Sequence, residues 1–252
     1  MKPIIQDMQD IKLECAQEIK EVIISLCLEG CESPQQRTRL KIGSYLGLFA
    51  TTLRSVLNFT VLDYLENRLK PRILAASDPN DNTKYDKAIK DSNPTWSENR
   101  SQKTIKEFYR LAKPVMELTD KYDQDAFRLL EKSQIFQPDN DWFWVLSRLS
   151  NIDKHELITE CIFLEVTPIN PLVEFKEKQV RISGKEGVEI QELPCYFASE
   201  NLFISTKQAF YLILFQVHSK DTPGKREIQL SHFLDDTPAK VAGVIREFNN
   251  LS

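Results

Sequence analysis

The apolar residues of this sequence change their spacing near residue 160, and that change constrains the fold more than any other feature. Before it, apolar residues recur every three or four positions, as they do along the buried face of an α-helix. After it, segments such as ECIFLEVTP and REIQL alternate apolar with polar residues, which is typical of half-buried strands. The sequence therefore predicts an α+β protein, with a helical bundle over residues 1–160 followed by a small β-rich domain with a closing helix over residues 161–252. The two clearest helical runs are Met8, Ile11, Cys15, Ile19, Val22, Ile23 and Leu26, and then Leu46, Phe49, Leu53, Val56, Leu57, Val61, Leu65 and Leu69.

Proline and polar residues predict where the helices of the bundle end. Pro71 is expected to close the second helix, because a proline ring disfavours helical backbone in the residue before it. Residues 77–101 are rich in Asp, Asn, Ser and Pro, which predicts an exposed polar connection with a short helical turn inside it. Three further helices are expected at about residues 103–119, 123–133 and 141–157.

The β-rich part holds one ambiguous segment and one clear helix. The segment from Phe210 to Val217 is almost continuously apolar, which fits a central strand or a buried helix, and we favour the strand. Thr237 and Pro238 are typical of a helix start, with Thr as the cap and Pro at the first helical position. The closing helix that they predict has one apolar face, made of Val241, Val244, Ile245 and Phe248.

Charge and cysteine usage exclude several classes of protein. Thirty-three basic residues against 37 acidic ones give a net charge of −4, which excludes a globally basic nucleic-acid coat. The five scattered cysteines, the lack of a signal-peptide pattern and the lack of an 18-residue apolar stretch predict a reduced, cytoplasmic protein without a membrane partner. Cys27 and Cys31 could supply two zinc ligands, but no second Cys or His pair completes a tetrahedral site, so we expect neither a metal nor another cofactor. The motifs of serine hydrolases, nucleotide-binding loops and zinc peptidases are also missing from the sequence.

One predicted helix carries residues with useful chemistry. Arg148, Asn151 and His155 are spaced three and four apart, so they share one helix face, which Asp153 and Lys154 flank. The opposite face is expected to lie in the core and contains Trp142, Val145, Leu149 and Ile152. Histidine exchanges protons near neutral pH, and arginine can hold a phosphate and stabilise its developing charge. This combination suits metal-free cleavage of RNA, with His155 as general acid or base, Arg148 as phosphate binder and Asn151 as positioning residue.

The stretch from Arg148 to His155 resembles the Arg-x4-6-His signature of the HEPN superfamily of helical-bundle proteins. Many HEPN proteins are metal-independent endoribonucleases of toxin and antiviral systems, which work as dimers with their motifs facing each other. The resemblance therefore implies an RNA-cleaving bundle of a bacterial defence or toxin type, acting as a homodimer.

A second resemblance covers most of residues 40–160. The segments LRSVLN from Leu53, FQP from Phe136 and LSNIDKH from Leu149 are similar to a group of uncharacterised bacterial proteins with an LRSALDH helix, a QP and an LxNxDKHR helix. The chain departs from that pattern at Asn58 and Phe59, where the group has Asp and His, and at Glu156, where it has Arg.

Each of these residues also has a purely structural interpretation. His155 and Asp153 could satisfy hydrogen bonds between helices, and Arg148 could pair with a carboxylate. Arg54 and Asn58, one helical turn apart, could complete a polar pocket facing His155 or form a buried structural pair. Two functions therefore remain: a metal-independent endoribonuclease, or a non-catalytic interaction module that serves as a subunit of a larger assembly. Spacing alone does not separate them, because Arg226 and His232 also fit the signature.

Overall fold

The fold is α+β, with a helical bundle followed by an antiparallel sheet and a C-terminal helix, as the sequence predicts. A computed structural model describes residues 2–33, 35–91, 102–155, 161–166, 173–174, 181–182, 195–197, 202–204, 210–218 and 225–251. Its helices are α1 (Lys2–Glu32), α2 (Gln36–Tyr64), a π-helical turn (Leu65–Leu69), α3 (Lys70–Ala76), α4 (Pro79–Asp91), α5 (Gln102–Tyr122), α6 (Gln124–Lys132), α7 (Asp141–His155) and α8 (Leu230–Asn249). Its strands are β1 (Cys161–Val166), β2 (Val173–Glu174), β3 (Arg181–Ile182), β4 (Cys195–Phe197), β5 (Leu202–Ile204), β6 (Phe210–His218) and β7 (Lys225–Gln229).

Strand β6 is the centre of the main sheet, which confirms that the apolar segment from Phe210 is a strand. It pairs with β1 along one edge and with β5 and β7 along the other, always antiparallel, while β4 extends the sheet beyond β5. Ile213, Phe215 and Val217 are buried at every second position, whereas the neighbouring β1 leaves Leu164 exposed. Strands β2 and β3 form a separate antiparallel pair. Residues 187–193, whose sequence GVEIQEL also alternates apolar with polar residues as a half-buried strand does, lie outside the described residues.

The sheet packs against the bundle through one apolar core. Phe233 of α8 makes edge-to-face contacts with Phe49 of α2 and with Phe215 of β6, so three elements meet at its ring. Near the end of α1, a side chain at Gly30 would place its Cβ only 2.5 Å from Cζ of Phe163 in β1, so the lack of a side chain allows this close approach. Strands β1 and β5 therefore contact the α1–α2 pair directly.

Pro71 does not end the second helix, and that prediction was wrong. The backbone continues as helix from Gln36 to Ala76, because the π-helical turn just before the proline widens the helix. In this turn the N–H of Lys70 donates to the carbonyl of Leu65, five residues earlier. A proline ring collides with the carbonyl four residues before it in a regular helix, and a π-bulge is one way to relieve that collision.

The long helix from Gln36 to Ala76 is, among the described residues, the one that could cross a membrane by length and composition. However, 56% of its most apolar window is buried inside the protein. Such burial is typical of the core helix of a soluble protein.

The connection predicted over residues 77–101 contains a full helix rather than a short turn, which corrects the sequence-based expectation. Asp78 accepts a hydrogen bond from the backbone N–H of Asn80 at 2.9 Å, which stabilises the start of α4. The ring of Tyr85 is buried, and its hydroxyl donates to the carbonyl of Leu65 at 3.3 Å. Residues 92–101 lie outside the described part of the chain.

The closing helix begins at Leu230, seven residues before the predicted start at Thr237. Leu230, Phe233 and Leu234 are buried at helical spacing, so the apolar contacts of this first stretch favour helix over a loop. Pro238 consequently lies inside α8, and Pro114 likewise lies inside α5. Helix α6 agrees with its predicted range to within one residue at each end.

Candidate functional site

The helix that carries the predicted site, α7, is fixed at its start by Asn140. The side-chain amide of Asn140 donates to the carbonyls of Lys132 and Gln134 at 2.8 and 2.9 Å, which joins the end of α6 to the start of α7. Val145 and Leu149 are buried, as predicted for the core face, and Trp142 is half-buried. The side chain of Ile152, also predicted in the core, lies outside the described residues.

Two hydrogen bonds join α7 to α2 on the face opposite this core. Nη1 of Arg54 donates to Oδ1 of Asn151 at 3.1 Å, and the hydroxyl of Thr51 donates to that of Ser150 at 3.2 Å. We call these four residues the α2–α7 polar contact. Arg54 and Asn151 are both half-buried, so solvent still reaches their hydrogen bond, whereas Ser150 is fully buried. The structure thus brings together Asn151, the predicted positioning residue, and Arg54, which the sequence offers as a residue that could complete a polar pocket.

Arg148 lies one helical turn before Asn151 and is also half-buried. Ser147, its neighbour, is fully buried, and among the described residues no hydrogen-bond partner is found for its hydroxyl. A guanidinium, an amide and two serine hydroxyls therefore occupy two successive turns of α7. This arrangement concentrates hydrogen-bond donors and the guanidinium of Arg148 on two turns of one helix.

Of the other predicted site residues, Asp153, Lys154 and His155 are placed by their backbone alone, and Asn58 takes no part in the α2–α7 polar contact. Helix α7 extends through Asp153, Lys154 and His155, but the side chains of these residues are outside the described structure. The backbone puts His155 one turn beyond Asn151, so the two share a helix face. Asn58, one turn beyond Arg54 on α2, is exposed, and no described hydrogen bond involves it.

The second match to the spacing signature does not form a comparable site. Arg226 is on β7, where it pairs with Asp141 at 2.8 Å and lies over the ring of Trp144. His232 is on the first turn of α8, exposed and 4.0 Å from Asp236. Because Arg226 and His232 are on different elements, helical geometry does not bring them to one face.

The buried cysteines show the chemistry of inert thiols. Burial raises the pKa of the Cys27 thiol well above its usual value, and burial raises the pKa of Cys31 to about 12. Both side chains therefore stay protonated at neutral pH, and a thiol is a poor nucleophile and metal ligand compared with a thiolate. Within the part of the chain that the structure describes, no group of three or more His, Cys, Asp or Glu side chains is placed to hold a metal ion.

Sequence reasoning missed two members of the polar contact, Thr51 and Ser150. Each lies next to a residue that was singled out, since Thr51 is one turn before Arg54 and Ser150 directly precedes Asn151. Hydroxyl side chains at these positions carry little signal on their own, because serine and threonine are common on helix surfaces. Only the packing of α7 on α2 shows that the two hydroxyls meet.

Comparison of the chain with protein-family models, with curated proteins and with solved structures found no match.

Proposed function

We propose that this chain is a metal-independent endoribonuclease whose helical bundle is HEPN-like and whose site lies on α7. The observation that carries the proposal is the hydrogen bond from Arg54 to Asn151, which places a second guanidinium beside the helix face of Arg148, Asn151 and His155. Arg148, together with an amide that a second arginine holds in place, suits a phosphodiester at a solvent-reachable surface, because negative charge develops on the phosphoryl oxygens during cleavage. The resemblance of this stretch to toxin and antiviral ribonucleases supports the same reaction in a cytoplasmic setting.

In the proposed reaction His155 takes the proton of an RNA 2′-hydroxyl. The 2′-oxygen forms a bond to phosphorus while the bond to the 5′-oxygen breaks, and a general acid protonates the leaving 5′-oxygen. The products are a 2′,3′-cyclic phosphate and a 5′-hydroxyl. A single imidazole cannot be base and acid in one concerted step, so a homodimer that faces two copies of His155 would supply both groups. Arg148 balances the negative charge that develops on the phosphoryl oxygens.

The test incubates purified full-length protein with mixed RNA in EDTA and identifies the ends of the fragments. Wild-type protein is expected to release 2′,3′-cyclic phosphate ends, and His155→Ala and Arg148→Ala are each expected to slow cleavage about 100-fold. Matched controls are His232→Ala and Arg128→Ala, which remove an exposed histidine and an exposed arginine from α8 and α6. Both controls should cleave at the wild-type rate. Absence of cleavage by the wild type, or equal loss in the controls, would contradict the proposal.

Three exposed leucines on α2 favour a second candidate function, that of a non-catalytic subunit which docks a protein partner. Leu40, Leu48 and Leu62 are 37%, 45% and 37% exposed. At 100° per residue they lie within an arc of about 80° on one side of the helix. This candidate is supported if the wild type does not cleave RNA while His155→Ala and Arg148→Ala both lower the melting temperature, as expected of residues that hold the bundle together.

A further inference from the structure

The side-chain amide of Asn151 could in principle turn either its oxygen, Oδ1, or its nitrogen, Nδ2, towards Arg54. The chemistry of Arg54 allows only one of these two orientations. A guanidinium carries five N–H donors and no acceptor. The side-chain atom of Asn151 that faces Nη1 of Arg54 at 3.1 Å must therefore be the acceptor Oδ1, since an amide nitrogen there would put donor against donor.

The consequence is that Nδ2 of Asn151, with two N–H donors, is turned away from Arg54. No other hydrogen bond of Asn151 is found among the described contacts, and the residue is half-buried rather than enclosed. Arg148 lies one turn earlier on the same face of α7 and adds a permanent positive charge. An oriented amide donor beside a guanidinium is complementary to an anionic oxygen and not to a cation or an apolar group.

We infer that Arg54 is a positioning residue, which holds the Asn151 amide so that its Nδ2 donates to a non-bridging phosphate oxygen of a bound RNA strand. Arg54 acts through Asn151, and Asn151 and Arg148 contact the phosphate. This inference rests on the proposed function for the identity of the strand, but the phosphate site itself does not require that the strand be cleaved.

Binding is measured by fluorescence anisotropy with a labelled 12-nucleotide RNA that carries a 2′-O-methyl group at every position. This probe has the phosphates of RNA but no 2′-hydroxyl nucleophile, so binding and cleavage are separated. Arg54→Met is expected to weaken binding about tenfold or more, and Arg54→Lys, which keeps a donor for Oδ1, to restore part of the loss. Arg37→Met is the matched control, because it removes an exposed arginine from the same helix about 25 Å away. It should bind like the wild type.

The variant Asn151→Asp distinguishes a role of the Arg54–Asn151 pair in binding phosphate from a role only in stabilising the fold. The carboxylate keeps the shape of the amide and forms an ion pair with Arg54, so the urea midpoint of unfolding should not fall. It also repels phosphate, so binding of the probe should drop at least about tenfold. In an Asn151→Ala background, Arg54→Met should change binding by less than about twofold, because the residue through which Arg54 acts is gone.

The outcomes distinguish this inference from the proposed function. If wild-type protein cleaves RNA but Arg54→Met or Asn151→Asp binds the probe as tightly as the wild type, the inference is wrong and the endoribonuclease stands. If the probe binds with the expected pattern while no RNA is cleaved, the phosphate site stands and the endoribonuclease falls. Failure of the wild type both to cleave RNA and to bind the probe overturns both.

Discussion

Replacing Phe233 tests whether the bundle and the sheet form one cooperative structure. Its ring is 5% exposed and lies between Phe49 on α2, at a centroid distance of 5.9 Å, and Phe215 on β6, at 5.4 Å. Both contacts are edge-to-face, with interplanar angles of 70° and 73°. The apolar core is therefore continuous from the second helix to the central strand across the boundary that the sequence predicts near residue 160.

The expected cost follows from the two ring contacts and the buried volume. An edge-to-face pair contributes about 0.5–1.5 kcal/mol beyond the burial of its area, so Phe233→Leu, which keeps most of the apolar volume, should lose about 1–3 kcal/mol. Phe233→Ala also leaves a cavity and should cost about 3–5 kcal/mol. Against a typical total stability of about 5–15 kcal/mol, either loss is readily measured.

Urea unfolding followed by circular dichroism gives the free energies, and hydrogen exchange with mass spectrometry shows where the structure opens. Both Phe233 variants should increase exchange in peptides from α2 and from β6 together. The control Ile11→Ala removes a side chain that is 50% exposed and should change the stability by less than about 0.5 kcal/mol. If only the β6 peptides exchanged faster while α2 kept its protection, the sheet would be a separate unit and the reasoning would be refuted.

Two further predictions concern pH and assembly. The hydrogen bonds from Lys121 and Tyr122 hold the pKa of the Asp81 carboxyl below its usual value of 3.8, so this carboxylate stabilises the folded protein above about pH 4 and the stabilisation is lost as the pH falls through the lowered pKa. Asp81→Asn should therefore lower the urea midpoint at pH 7 and make much less difference at pH 3. A homodimer that shares one site should have twice the mass of the chain in light scattering at micromolar concentration, and a strict monomer would exclude the shared-site mechanism.

The helices could be predicted because burial imposes a period on the sequence. α2 shows the apolar spacing that its packing requires, and α7 begins at Asp141, as predicted, whereas β6 is almost continuously apolar and its sequence also fits a buried helix. The predicted helix end at Pro71 and the predicted helix start at Thr237 and Pro238 were both wrong. Local chemistry favours a helix boundary at each proline, but buried residues lie on both sides of it and the helix continues through it. Tertiary packing outweighed the cost of a missing backbone N–H at both prolines.

The polar residues were predicted less completely, because a polar side chain imposes no period. The sequence identifies Asn151 from its place on α7 and offers Arg54 as a residue that could complete a polar pocket. It does not show that Arg54 reaches Asn151 rather than solvent, since that depends on how α2 and α7 cross. Helix α4 shows the same limit, because its Asp- and Asn-rich sequence resembles a loop, yet Asp81 and Tyr85 are buried.

The stability of the α2–α7 polar contact bears directly on whether it is kept for function. A hydrogen bond contributes a net amount of only about 0.5–1.5 kcal/mol, and two apolar side chains of similar size in contact can match that without taking a charge partly out of water. We therefore expect Arg54→Met with Asn151→Leu to unfold at a urea concentration no lower than the wild type. Each single variant, which leaves one polar partner without its bond, should be less stable by about 1–2 kcal/mol. Urea unfolding of the four proteins measures this directly. A double variant less stable than either single one would mean that the bond is needed to hold the two helices together, so the contact would have a structural reason to exist that does not depend on RNA binding.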